Sequence, residues 1–217
     1  MTGMRDATRE AIGRTGAVVV LRLRDHGRAV EVGHVLAEAG LDVLEVTLDH
    51  PGALDALGAM AEALGDEVVV GAGTVRDPAL PEQVAAAGGR FCVSPELDVA
   101  VVEATLAAGL EPLPGTLTPT EIASALRAGA RMVKLFPARA LGPGYLRALL
   151  GPFGDLAVVP TGGIRHDEVA PWLDAGAVAV GLGSDLVSAR PGPDDLEEIG
   201  RRARAVVAQV REHRAGG

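Results

Sequence analysis

The sequence predicts an α/β protein of the (β/α)8, or TIM-barrel, class, with residues 1–217 in a single domain. Eight short runs rich in β-branched residues alternate with stretches rich in Ala and Leu. Glycines that end helices recur at steps of 25, 23, 21, 20 and 47 residues, the last step covering two units: Gly40, Gly65, Gly88, Gly109, Gly129 and Gly176. Such a unit, repeated eight times in a chain at the lower end of the usual length, is typical of a parallel barrel.

The strands are predicted from their β-branched composition and the helices from the apolar spacing of the segments between them. The predicted strands are 17–23, 42–48, 67–71, 90–93, 111–113, 131–136, 156–160 and 177–181. The helices are expected at 28–39, after Pro51, at 78–87, 97–108 and 118–128, near 144–150, and at 167–175 and 194–211. Residues 1–14 are expected to form an extra helix across the barrel bottom, and 190–195 a Pro/Gly linker.

A doubly wound parallel sheet is the structural alternative. In that fold a glycine-rich fingerprint follows the first strand and binds a dinucleotide. Residues 18–25 contain no glycine, so the barrel is the favoured prediction.

Composition limits the function classes. The chain has 29 acidic and 20 basic residues, a net charge of −9, which argues against nucleic-acid binding. No apolar run approaches the roughly 20 residues of a membrane span. No charged n-region followed by an apolar h-region opens the sequence, so we expect no secretory signal. A single cysteine, Cys92, excludes a disulfide framework. We expect a cytoplasmic protein that binds neither membranes nor nucleic acid.

Two charged residues lie within predicted strands. Alternation places Glu45 on the same face as Thr47, and Lys134 on the same face as Phe136. The opposite face of each strand is apolar, as expected for a surface beneath helices. Both charged side chains are therefore expected to point into the barrel from opposite walls.

Buried charges are rare unless they are paired or functional, so two hypotheses follow for Glu45 and Lys134. One is a structural ion pair. The other is catalytic, because removal from water favours a neutral amine that forms a Schiff base with a ketone, while a carboxylate across the cavity moves protons. Both residues lie late in their strands, where barrels carry active sites, which favours the catalytic hypothesis.

Glycine-rich loops follow the last two predicted strands. Thr161, Gly162 and Gly163 form the first loop, and Gly181–Ser184 forms the second and opens a short helical segment at 185–188. These loops are the usual phosphate site of the fold, although plain turns also need glycine. A third loop, Gly71–Thr74, could present the Thr74 hydroxyl to a carboxylate.

These residues resemble the 2-keto-3-deoxy-6-phosphogluconate / 4-hydroxy-2-oxoglutarate aldolase family. The resemblance extends from about Gly16 to Ser188 and is specific because its motifs occur together and in order. They are VLR (20–22), EVTL (45–48), GAGT (71–74), SP (94–95), PG (114–115), KLFPA (134–138), PTGGI (160–164) and GS (183–184).

The resemblance implies a homotrimeric class I aldolase that needs no metal or cofactor. It would cleave a small keto acid, a 2-keto-3-deoxy sugar acid such as 2-keto-3-deoxy-6-phosphogluconate, to pyruvate and an aldehyde. Lys134 matches the Schiff-base lysine and Glu45 the general acid/base. Substrate contacts are implied for Arg22, Thr74, Pro95, Phe136, Gly162, Gly163 and Ser184, with Thr161 and Gly183 in the same loops.

Two positions depart from the family pattern. Several members carry an arginine that binds the substrate carboxylate where this chain has Asp49, which reverses the local charge. Glu96 replaces a usual glycine, and the loop residues Arg139 and Arg165 could compensate or simply be solvated.

These departures keep open a non-catalytic or differently specific barrel that binds a sugar phosphate. A metal-dependent phosphate-binding barrel enzyme is a further alternative, but the histidines lack metal-ligand spacing. The one candidate divalent site combines Glu45, Asp49 and His50.

Overall fold

The computed structural model describes residues 2–216, with side chains from residue 3 onward. Its helices are α1 (Thr2–Thr15), α2 (Ala29–Glu38), α3 (Ala53–Leu64), α4 (Leu80–Ala86), α5 (Val99–Ala107), α6 (Pro119–Arg127), α7 (Gly142–Phe153), α8 (Ala170–Leu173) and α9 (Asp195–Gly216). Its strands are β1 (Ala17–Leu21), β2 (Val43–Thr47), β3 (Val69–Gly73), β4 (Phe91–Val93), β5 (Glu111–Leu113), β6 (Gly115–Thr116), β7 (Met132–Leu135), β8 (Ala157–Pro160) and β9 (Val180–Leu182).

The paired strands are parallel and form an α/β fold whose sheet curls into a half-barrel. One run has the order β5-β4-β3-β2-β1-β9 and the other the order β6-β7-β8. Only Pro114 separates β5 from β6; proline has no N–H to donate, but its carbonyl accepts the N–H of Lys134 in β7 at 2.9 Å. A bridge between Thr161 and Gly181 connects the end of β8 to β9.

Two apolar cores result from the alternation of side chains along the strands. The larger core lies between the strands and the outer helices. The smaller core lies inside the curved sheet and includes Val18, Val43, Phe91, Val93, Leu113, Met132 and Val159. Ala11 and Ile12 of α1 pack into the smaller core, so the extra helix predicted at the amino terminus covers this end of the sheet. The other end of the sheet is left for a site.

Several predicted boundaries were wrong. β1 ends at Leu21 rather than at residue 23, and β3 is shifted from 67–71 to Val69–Gly73 because its ladder begins where the Val69 N–H donates to the Asp42 carbonyl. β9 covers Val180–Leu182 rather than 177–181. α8 begins only at Ala170, with Pro171 in its first turn, rather than at residue 167.

The helical segment predicted at 185–188 is also wrong. Leu186 and Val187 donate their N–H groups to the carbonyl of Gly183, at 2.9 and 3.1 Å, and form a single turn that does not continue as a helix. The glycine pattern is confirmed, for example at Gly129 and Gly176, whose φ angles are +100°.

Within residues 2–216, every helix is too short or too polar to cross a membrane.

Candidate active site

A cavity of about 640 Å³ opens at the carboxyl ends of β1, β7, β8 and β9. Eight of the eleven predicted site residues line it: Arg22, Lys134, Phe136, Thr161, Gly162, Gly163, Gly183 and Ser184. Val20, Ile164 and Asp185 complete the lining. The structure therefore brings together residues that lie up to 162 positions apart in the chain (184 − 22).

Lys134 enters this cavity from β7. Its side chain lies above Met132 of the inner core, as alternation requires, and the residue is 7% exposed. The Nζ atom lies 4.9 Å from the centroid of the Phe136 ring. Among the described residues Lys134 forms no ion pair, so the structural pair with Glu45 that the sequence left open is not formed.

Glu45 points inward from β2 and is 2% exposed. Burial raises the pKa of its carboxyl group; the charges of Lys134 and Arg22 oppose this rise, and Asp49 adds to it. No described side chain or backbone group donates a hydrogen bond to this carboxyl. A carboxyl with a raised pKa and no fixed partner is well suited to accept a proton and to return it.

Gly73 provides the space that Glu45 occupies. A Cβ atom built on Gly73 would lie 1.9 Å from Oε1 of Glu45 and 2.6 Å from its Cδ. Both Glu45 and Gly73 belong to paired strands, and Thr47 pairs with Gly73 in register. Residue 73 must therefore be glycine because the Glu45 carboxyl fills the space of a side chain there, and not because the chain turns at this position.

Gly73→Ala is expected to displace the Glu45 carboxyl and to lower kcat by roughly 10²-fold, since misplacing a catalytic group by about 1 Å costs that much. Steady-state kinetics measures the loss. Gly13→Ala in α1 is the matched control, because a Cβ there meets no atom within 4 Å. Equal activity in the two variants would contradict the assignment of this space to Glu45.

Asp49, which replaces the arginine of several family members, is held by two neighbours. It forms an ion pair with Arg22 and accepts a hydrogen bond from the Thr47 hydroxyl at 2.6 Å. Partial burial would raise the pKa of Asp49, but the Thr47 hydrogen bond and the Arg22 charge outweigh it and lower the pKa. The repulsion expected from an acid at this position is thus offset, and Asp49 positions a cation at the cavity wall.

The two glycine-rich loops lie side by side at the cavity. Gly162 and Gly163 have φ angles of +102° and +77°, which favour glycine. A Cβ on Gly162 would lie 2.9 Å from the Phe136 ring, so this glycine also allows the loop to approach the strand that carries Lys134. Ser184 is exposed at the start of the other loop. The arrangement offers backbone N–H groups and a hydroxyl to an anion.

Three predicted site residues do not line the cavity: Glu45, Thr74 and Pro95. Thr74 follows β3 with a φ of +58°, a strained conformation for a β-branched residue that is found mostly at functional sites. Pro95 follows β4, and its carbonyl oxygen lies 2.3 Å from a Cβ built on Gly115. Both lie at the carboxyl ends of β3 and β4, on the Glu45 side of the sheet.

The other charged candidates, Arg139, Arg165 and Glu96, each have a partner outside this set. Arg139 donates to the carbonyl of Gly163 at 2.7 Å, and Arg165 pairs with Asp167 at 2.9 Å. Glu96 pairs with Arg76 at 2.8 Å. Arg139 supports a site loop, whereas Arg165 is neutralised outside the cavity lining.

Sequence reasoning missed Asp185 and His166. Asp185 lines the cavity, and its Oδ2 accepts hydrogen bonds from the backbone N–H and the ring Nδ1 of His166, both at 2.7 Å. One feature of the sequence could have identified Asp185: it directly follows Gly183-Ser184, and a carboxylate is unexpected beside an anion site.

The candidate divalent site has no counterpart among the described residues. Glu45, Asp49 and His50 do not form a metal-binding group, and residues 3–216 contain no cluster of three or more His, Cys, Asp or Glu side chains that could hold a metal ion.

Comparison with known proteins gives a consistent result. The family model described as "KDPG and KHG aldolase" matches residues 9–202. The chain is 37% identical over 182 residues to the 2-dehydro-3-deoxy-6-phosphogalactonate aldolase of Escherichia coli, covering 83% of this chain and 87% of that one. Among solved structures it is similar to one titled "Native KDPGal structure", with a TM-score of 0.86, 34% identity, and 91% and 95% of the two chains covered.

A KDPG aldolase from Legionella pneumophila, solved with pyruvate captured as a covalent carbinolamine, is 28% identical with a TM-score of 0.77, and 93% and 95% of the two chains are covered. The family match spans most of the chain, and the E. coli relative is well above 30% identity. The chain therefore belongs to the KDPG and KHG aldolase family, and it is an aldolase, a carbon–carbon lyase.

Proposed function

We propose that this aldolase cleaves a phosphorylated 2-keto-3-deoxy sugar acid through a Schiff base on Lys134, releasing pyruvate and an aldehyde phosphate. The observation that carries the proposal is a buried lysine that has no salt-bridge partner among the described residues. It lies in a cavity bordered by two glycine-rich loops, with a buried glutamate across the sheet. The carbinolamine captured in the Legionella relative supports the covalent chemistry.

The reaction begins when the neutral amine of Lys134 attacks the C2 ketone. The carbinolamine takes up one proton, which the final hydrolysis releases again, and loses water to become a protonated imine. Glu45, directly or through a water, removes the proton of the C4 hydroxyl, and that oxygen forms the aldehyde carbonyl. The C3–C4 bond breaks and its electron pair enters the imine, giving an enamine. Glu45 returns its proton to C3, and hydrolysis of the imine releases pyruvate and the free amine of Lys134.

Glu45 suits this cycle because burial raises its pKa, which makes the carboxyl a stronger base than an exposed glutamate. Its carboxyl lies over Gly73, among the ends of β2 and β3. We assign the pyruvate carboxylate to the ends of β2 and β3 beside Thr74 as well.

Arg22 is proposed to take the anchoring role that an arginine at position 49 has in several family members. It lines the cavity and is held from behind by Asp49. Asp49 neutralises part of the charge of Arg22 and fixes its guanidinium in place. We therefore expect this guanidinium to bind a substrate carboxylate or hydroxyl through oriented hydrogen bonds rather than as a mobile cation.

The phosphate is assigned to the loops at Gly162–Gly163 and Gly183–Ser184. The curated relative acts on a 6-phosphogalactonate derivative and the family description names KDPG, so the C4 configuration is the variable to test first. Both phosphorylated epimers belong in a substrate panel, together with 4-hydroxy-2-oxoglutarate.

Four further features belong to the proposal. Two observations support closure of the sheet into a (β/α)8 barrel that forms a single domain. β5 and β6 are continuous in the chain through Pro114, and the Thr161–Gly181 bridge joins the end of β8 to β9. The family resemblance supports a homotrimer. A cytoplasmic location and chemistry that needs no metal or cofactor stay predictions.

Borohydride trapping tests the reaction. The protein is incubated with pyruvate, reduced and digested, and the modified peptide is located by mass spectrometry. We expect a pyruvyl adduct on Lys134. Its formation would support the Schiff-base chemistry, and the aldehyde that is released would be identified next. Absence of an adduct, with a control aldolase trapped in parallel, would replace the proposal by a sugar-phosphate-binding barrel.

A further inference from the structure

The two loops assigned to phosphate are connected by one side chain, Asp185. It lies beside Ser184 in the cavity lining, and its Oδ2 accepts the backbone N–H and the ring Nδ1–H of His166, both at 2.7 Å. His166 belongs to the other loop, two residues after Ile164. The side chains of His166 and Asp185 are 14% and 30% exposed. The contact thus crosses from the loop after β9 to the loop after β8 at the cavity edge.

Both partners are also attached to α9. The carbonyl of Asp185 accepts a hydrogen bond from Arg202, and the carbonyl of His166 accepts one from Gln209 at 2.7 Å. The side-chain oxygen of Gln209 in turn accepts the N–H of Val169 at 3.1 Å. One long helix therefore holds each loop, and the Asp185–His166 contact holds the loops to each other.

A carboxylate beside a phosphate site has an electrostatic cost. Partial burial would raise the pKa of Asp185, but the hydrogen bonds and charge of His166 outweigh it and lower the pKa, so the group is ionised. Like charges repel, and an acid at this position must contribute something that offsets the repulsion. Ordering the two loops is the contribution that the hydrogen bonds indicate.

We propose that Asp185 is a positioning residue for the substrate phosphate, which holds the Gly162–Gly163 and Gly183–Ser184 loops at the spacing needed to bind one phosphate. The inference rests on the proposed function, because it concerns the same phosphate. Backbone N–H groups bind an anion best when they are already in place, so loss of Asp185 affects phosphate affinity before the bond-breaking step.

Calorimetric titration with inorganic phosphate tests the proposal. Asp185→Ala removes the acceptor of both His166 donors, and we expect its phosphate Kd to rise at least about fivefold. Asp185→Asn retains an oxygen that accepts the same donors and removes the negative charge, so its Kd is expected to equal the wild-type value or to fall below it. Weakening in both variants, tightening in both, or no change in the alanine variant would overturn the proposal.

A matched control contacts the same helix. Asp174 accepts a hydrogen bond from His213 of α9 at 2.8 Å, and neither residue lines the cavity. Asp174→Ala is expected to retain the wild-type phosphate Kd. If Asp185→Ala fails to fold, His166→Ala removes only the ring contact and is expected to weaken phosphate binding in the same direction; an unchanged Kd in that variant would overturn the proposal.

Kinetics separate positioning from a general structural role. With a phosphorylated substrate, Asp185→Ala is expected to raise KM more than it lowers kcat, and Asp185→Asn is expected to restore KM. Equal losses in KM and kcat that the asparagine does not restore would overturn the proposal.

Pyruvate trapping in the same proteins distinguishes this inference from the proposed reaction, because it needs no phosphate. A wild-type protein that traps pyruvate but does not bind phosphate would overturn the inference and leave the Schiff-base chemistry. A wild-type protein that binds phosphate without trapping pyruvate would overturn the proposed reaction, and the order of the Kd values would still decide the role of Asp185.

Discussion

Lys134→Met is expected to abolish cleavage, with a loss in kcat of at least roughly 10³-fold, and to abolish the borohydride-trapped pyruvyl adduct. Methionine keeps the length and the apolar contacts of the side chain beside Phe136 but has no amine. A coupled assay for pyruvate release measures the first loss, and mass spectrometry of the peptide that contains residue 134 measures the second.

Arg131→Met is the control for loss of one positive charge in this segment. Arg131 is exposed and directly precedes β7, at the opposite end from Lys134. It is expected to retain cleavage. A Lys134→Met protein that is folded, as judged by its Tm, and still cleaves at more than a tenth of the wild-type rate would refute the assignment of the nucleophile.

Glu45→Gln is expected to lower kcat by roughly 10²- to 10⁴-fold, the range for loss of a general acid/base. The amide has the shape of the carboxyl and fits the same space over Gly73, so the loss measures proton transfer rather than packing. In contrast to Lys134→Met, this variant is expected to form the imine with pyruvate and to be trapped, because its amine is intact.

The same substitution is expected to stabilise the protein at neutral pH. Burial raises the pKa of Glu45 from its ordinary value of 4.5, so the fold disfavours the ionised form. The protonated carboxyl makes a favourable contribution to the free energy of unfolding. This contribution is fully present below pH 4.5 and is lost as pH rises through the pKa of Glu45 in the folded state. Glutamine does not ionise and has no such loss. We therefore expect the Tm of Glu45→Gln to exceed that of the wild type by a few degrees at pH 8 and to equal it near pH 4.

Glu111→Gln is the matched control for activity. Glu111 is also buried, at 1% exposure, and burial raises its pKa, but it pairs with Arg9 of α1 at the amino end of the strands. This variant is expected to retain cleavage. Full activity in Glu45→Gln, or a Tm difference that grows toward acid pH, would refute the proposed role of Glu45.

A buried catalytic carboxyl that reduces stability is the expected trade-off between function and folding. The fold supplies stability elsewhere, through two apolar cores and through α1, whose Ala11 and Ile12 pack into the inner core at the end remote from the cavity. The site end is left with charged and glycine-rich segments.

The sequence was sufficient for most of the fold because the period-two alternation and the helix-ending glycines are local signals. The inward orientation of Glu45 and Lys134 followed from alternation alone, and the structure confirms it. Strand ends were harder to predict, since they depend on partners. β3 begins at Val69 because its N–H donates to the carbonyl of Asp42, the residue before β2, and no feature of residues 67–71 indicates this.

The sequence by itself therefore determined the alternation of strands and helices, the inward faces and the candidate residues, because each depends on neighbours in the chain. Only the tertiary structure decided how the charges are combined. It paired Asp49 with Arg22 instead of leaving an isolated acid, left Lys134 without an ion-pair partner among the described residues, and joined Asp185 to His166 across two loops. Charge interactions depend on distance and burial, which are set by segments far apart in the chain and cannot be read from local spacing.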